Sequence, residues 1–193
     1  MALAPVVVFM AMAHTTIEGE SAAEMTPSQV TDRFLPWVLV ALFWALPVAL
    51  AALAFVRIDR RRPVRLAAGA GIVLLAGYVV AQAGIAAIDS ATLGDSQLFA
   101  FAILLSLLGW WSVDLAAILT CAGLHRSGIV TRTALVVGIL TALLVVVEVA
   151  VYLPALVGEA TLHDTIGLPP MALPILWAVL GGALWRKGAP VRV

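Results

Sequence analysis

The sequence predicts an all-α bundle of transmembrane helices, and three observations predict it. The first is composition. Of 193 residues, 63% are hydrophobic and 11% are charged, and the mean hydropathy is +1.11; soluble domains average roughly 45–50% apolar and about 25% charged residues. The second is charge placement. Ten of the eleven basic residues fall in three short stretches, Arg57 to Arg65, Arg126 to Arg132 and Arg186 to Arg192, with Arg33 alone elsewhere. The third is alternation. Apolar runs separate these stretches, and the other loops carry acids instead: Glu18, Glu20, Glu24, Asp32, Asp89, Asp95, Glu159 and Asp164. A zero net charge thus hides two sides of opposite sign. The positive-inside rule puts the basic turns in the cytoplasm, and a chain of this length is expected to form one domain, residues 1–193.

The elements follow in order. Residues 1–13 are apolar but reach only about 20 Å at 1.5 Å per residue, against a core of about 30 Å. Three readings fit them. They form a short first span, one that an upstream start would lengthen; or a signal-peptide core, with Ala11-Met12-Ala13 resembling a cleavage site but no preceding Lys or Arg; or an interfacial segment. The short span is adopted, because the polar loop from His14 to Arg33 then joins two helices in ordinary fashion and both termini are cytoplasmic. Thr26-Pro27-Ser28 marks a turn or helix start in that loop. The second span is expected at 36–56, with Pro36 in a first turn that needs no N–H and Pro47 as a kink. Four more follow at 66–88, 97–123, 133–157 and 168–185, with Pro154 bending the outer end of the fifth. Five spans are firm, and residues 1–13 supply the sixth.

Small residues mark faces where helices can approach closely without a hydrophobic driving force: Gly77, Ala81 and Gly84; Gly109, Ala116 and Gly123; Ala178 and Gly182. These are read as packing. Trp110, Trp111, Trp177 and Tyr78 fit either bundle or lipid contacts. The single cysteine, Cys121, excludes an intramolecular disulfide and reads as a buried, inert thiol. No cofactor or metal is expected: phosphate-binding glycine loops, paired-cysteine motifs and His-Glu-x-x-His are missing, and Glu159, His163 and Asp164 make a weak ligand pattern. Nucleic-acid binding has no support, since the basic residues are topological.

Two residues break the apolar rule. Asp114 and Glu148 are the acids inside the firm spans, where each costs about 2.5–3.5 kcal/mol even on the lenient insertion scale. Asp114 lies twelve residues before Arg126 and Glu148 sixteen after Arg132, which sets them roughly 18 and 24 Å from the basic turn on two antiparallel neighbours. The carboxyls can therefore meet if their faces agree. No Lys, Arg or His shares a firm span with them. Loss of water and a like neighbour both disfavour charge, so at least one should carry a proton. The functional reading is a mid-membrane proton- or cation-linked site; the plainer one is neutral carboxyls bonded to Thr141, Tyr152, Ser112 or backbone carbonyls as helix glue. Gln82 is a third intramembrane polar group, either glue or part of the same network.

The run Leu124-His125-Arg126-Ser127-Gly128 with Thr131-Arg132 between two spans, and the terminal Leu176-Trp177 with Gly181-Gly182-Ala183-Leu184-Trp185-Arg186, resemble the small uncharacterised integral membrane proteins common in actinobacteria. Those relatives often place Pro before the second Arg of the turn, where Thr131 stands here. The resemblance covers the architecture of most of the chain and implies no activity. Three functions are weighed: a protein of the bacterial inner membrane that handles a proton, small molecule or lipid at Asp114 and Glu148; a non-catalytic structural or regulatory subunit packing against partner membrane proteins or a second copy; and a membrane enzyme, disfavoured for want of a nucleophile or metal cluster. The lipid bilayer is the one partner common to all three.

Overall fold

The computed structural model describes residues 27–87, 97–156 and 169–187. Within them the chain is all-helical: α1 Pro27–Ile58, α2 Arg62–Ala87, α3 Gln97–Arg126, α4 Thr131–Leu156 and α5 Pro169–Arg186. Four helices are long and apolar enough to cross a membrane, over Ala41–Ile58, Arg62–Ala83, Phe101–Arg126 and Thr131–Tyr152. The apolar part of α5 is shorter, Leu173–Arg186, and the segment expected to supply the first span lies outside the described residues.

Two helix starts differ from the sequence reading. Helix α1 begins at Pro27, not Pro36, and runs unbroken through Pro36 and Pro47. Ser28, Gln29, Thr31, Asp32 and Arg33 make its first nine residues too polar for a hydropathy criterion, although nothing in them opposes a helix after an N-terminal proline. Helix α2 begins at Arg62 with Pro63 in its first turn, where the missing N–H has no partner to lose.

Consecutive helices pack against one another, and α3 also packs on α1. The shared core is built from small side chains. Ala52, Ala68, Ala116, Ala117 and Ala134 are at most 2% exposed, alongside Val64, Val113, Leu124 and Val137. The outer surface is apolar too. Leu66, Val73 and Val80 fall at seven-residue spacing along α2 and are 62–71% exposed. Such a stripe suits lipid, which needs no polar cover.

The α3–α4 turn shows how a short sequence sets a helix pair. Ile129 N–H donates to Leu124 O at 3.1 Å and Gly128 N–H to His125 O at 3.2 Å, with Gly128 at φ +76°. This is a Schellman cap, in which glycine takes the left-handed position without a Cβ penalty. Val130 follows at φ +44°, an unfavourable value for a β-branched residue. Burial of its side chain in the core (5% exposed) holds it there.

Candidate functional site

Helix α3 packs on α1, α2 and α4, and Asp114 lies on its covered face. Asp114 is 0% exposed, and Glu148, one helix away on α4, is 1% exposed. Glu148 lies within electrostatic range of Asp114. The two helices thus bring the carboxyls within range of each other, with neither facing lipid. Trp111 Nε1–H donates to Glu148 Oε2 at 3.1 Å. Glu148 Oε1 and both Asp114 oxygens have no hydrogen-bond partner. A buried polar atom without a partner normally costs about 1–3 kcal/mol, so three around one pair is unusual.

The structure distributes the other expected site residues unevenly. Thr141 is fully buried on α4, but its hydroxyl bonds to neither acid. Ser112 bonds back to Leu108 O on its own helix at 2.7 Å, so it is not the partner it was expected to be. Tyr152 is buried one turn beyond Glu148. Gln82 is buried on α2 beside Tyr78, next to Ala81, which packs on Ala102. Asp114 lies twelve residues beyond Ala102 along α3, roughly 18 Å. Gln82 therefore sits at another level of the bundle and is not part of the acid pair's network. The Glu159, His163 and Asp164 pattern lies outside the described residues.

Sequence reasoning left the tryptophans undecided between bundle and lipid. Trp110 is 3% exposed, with ring centroids 5.3 Å from Trp44 and 6.2 Å from Trp177; Phe55 meets Trp177 edge-on at 5.6 Å. This cluster ties α1, α3 and α5 together one turn from Asp114. The Nε1–H groups of Trp110 and Trp177 lack partners as well.

A second polar cluster was missed. Asp59, in the link between α1 and α2, is 1% exposed. Both of its oxygens accept from Arg61 Nε at 2.9 Å, and the Arg61 backbone N–H donates to Oδ1 at 3.0 Å. Arg61 Nη2 also reaches across to Leu119 O on α3 at 2.7 Å. Burial pushes the Asp59 carboxyl up, but the hydrogen bonds and charge of Arg61 together outweigh it and hold the group below its ordinary value of 3.8. The hydrogen bond to Asp59 raises the Arg61 guanidinium in turn. Gly123 makes the approach possible, since a Cβ there would lie 2.8 Å from Asp59 Oδ2. In the sequence Asp59 is marked only as the one acid inside the three basic stretches, which does not give its burial.

Among the described residues these features define a class, a helical protein with four helices long and apolar enough to cross a membrane, an acid pair shut between two of them and an ion-pair clasp at one end. No family model, no curated protein and no solved structure matches the chain.

Proposed function

We propose that the chain is a multi-pass protein of the bacterial inner membrane whose Asp114–Glu148 pair takes up and releases a proton during the handling of a small molecule or lipid. The observation that carries this reading is the absence of hydrogen-bond partners at both Asp114 oxygens, in a carboxyl that is 0% exposed beside a second buried acid. Carboxyls serving as helix glue bond to their neighbours, whereas the unpartnered Asp114 oxygens leave that carboxyl open to take up a proton or a ligand. The proposal includes the actinobacterial resemblance, six spans and cytoplasmic termini.

The test uses the proton itself as probe. Infrared spectra of the full chain in lipid vesicles, recorded across the pH range in which it stays folded, should show a protonated-carboxyl band that appears and disappears reversibly. Asp114→Asn and Glu148→Gln should fold like the wild type, since a neutral amide replaces a neutral carboxyl, and each should alter or remove that band. A band untouched by both substitutions would overturn the reading. The alternative is a non-catalytic subunit in which the acids only join helices, and the Trp111–Glu148 bond favours it. There the amide variants match wild type throughout, while Asp114→Leu and Glu148→Leu weaken packing by about 0.5–2 kcal/mol.

The threading has its own check. Ser127 sits exposed in the α3–α4 turn. In a Cys121→Ala background, Ser127→Cys should react with a membrane-impermeant maleimide from the cytoplasmic side alone. Labelling from outside would invert the topology.

A further inference from the structure

We infer that the cleft between α1 and α5 binds one anionic glycerophospholipid of the cytoplasmic leaflet, an inference that rests on the membrane placement proposed above but not on the acid pair. Helix α1 packs on α2 and α3, and α5 packs on α4. Between α1 and α5 the bundle leaves a cleft of about 290 Å³, lined by apolar residues. It runs along α1 from Pro47 to Ile58, roughly 16 Å, or about half of the 30 Å hydrocarbon core. The length fits the acyl chain of a single leaflet.

The cleft's end has a different chemistry. On α5 its wall passes through Ala178 and Gly181, and the next residue on that face is Trp185, 88% exposed. A tryptophan presented this way belongs at the headgroup level, where its ring is apolar and its N–H stays wet. Arg57 in the last turn of α1 and Arg186 and Lys187 at the end of α5 are all exposed. The only acid described at this end, Asp59, is already held by Arg61. Among the described residues the three cations thus lack a counter-charge, and each attracts an anionic headgroup. An apolar slot one leaflet long, ending in an interfacial Trp and free cations, matches a phosphate diester on two acyl chains better than a wholly apolar occupant.

The experiment is native mass spectrometry of the full chain in mild detergent, with phosphatidylglycerol or phosphatidylcholine of identical acyl chains added. The wild type should retain one phosphatidylglycerol and bind phosphatidylcholine at least about tenfold more weakly. Removing three charges in Arg57→Gln/Arg186→Gln/Lys187→Gln should weaken phosphatidylglycerol binding about tenfold to a hundredfold. Gly181→Leu fills the cleft at a position with nothing within 4 Å of a new Cβ, so the fold should persist, checked by an unchanged Tm, while the retained lipid is lost. Equal binding of the two lipids, or wild-type retention in Gly181→Leu, would overturn the inference. So would efficient cross-linking in lipid vesicles of Ala178→Cys, in a Cys121→Ala background, either to a second copy or to a cysteine introduced at Val7, because either result puts protein in the cleft.

Discussion

Arg61→Ala is expected to destabilise the detergent-solubilised protein by about 2 kcal/mol. The substitution removes the Nε bonds to both Asp59 oxygens and the Nη2 bond to Leu119 O. It leaves a carboxylate that is 1% exposed and that keeps, among the described residues, the backbone N–H of residue 61 as its donor. Breaking a fully buried pair costs about 3–5 kcal/mol, but the Arg61 side chain is 40% exposed, and water screening reduces the loss. The double variant Asp59→Asn/Arg61→Ala should cost less than Arg61→Ala alone, because no unpaired charge is left behind. Arg61→Lys should recover only part of the loss, since an ammonium cannot present the guanidinium fork.

The same clasp sets a pH dependence. The folded Asp59 carboxyl is held below its ordinary 3.8. Its contribution is therefore complete above about pH 4 and is lost as the pH falls through the folded value. Thermal unfolding scans below about pH 4 should show a steeper acid loss in wild type than in Asp59→Asn. Parallel acid limbs would remove Asp59 from the account.

Helices were legible in the sequence because apolar runs of span length, punctuated by arginine clusters, leave little else to form. The small-residue faces were legible only in part. Gly109, Ala116 and Gly123 are all buried, as the sevenfold spacing implied, whereas Ala178 and Gly182 are exposed. Small residues permit a neighbour but do not say whether one is there. The acids were visible as anomalies, since a carboxyl in an apolar span stands out at any register. Their partners were not. Trp111 and Trp110 are adjacent on a helix that is apolar all round, so no polar face shows which ring turns towards α4 and which towards α1. Asp59 was hidden for another reason: its burial comes from a turn folding back onto α3, which residue spacing along one helix does not encode.

The largest steric effects are expected where α2 crosses α3. A Cβ on Gly71 would lie 2.6 Å from Val113 Cγ2 and 3.0 Å from the Gly109 carbonyl oxygen. A Cβ on Gly109 would lie 2.9 Å from Leu75 Cγ and 3.3 Å from the Leu75 backbone nitrogen. The obstacles include a stiff β-branched side chain and main-chain atoms, so relief requires the helices to separate. Lipid tails are as apolar as the core, and this pair is held chiefly by close packing, which separation removes. Gly71→Ala and Gly109→Ala should each cost about 1–3 kcal/mol, and the leucine variants more. Gly69 provides the control: it lies two residues away with nothing within 4 Å of a new Cβ. Alanine there should be neutral or slightly stabilising, because glycine in a helix costs roughly 0.5–1 kcal/mol relative to alanine. Thermal unfolding in one detergent should thus rank Gly69→Ala at or above wild type, with Gly71→Ala and Gly109→Ala well below. Val113→Ala should partly rescue Gly71→Ala, since it removes the nearest clashing atom, and should do little for Gly109→Ala, whose Cβ meets Leu75 instead. A uniform loss across all three glycines would mean that helix propensity, not close approach, governs these positions.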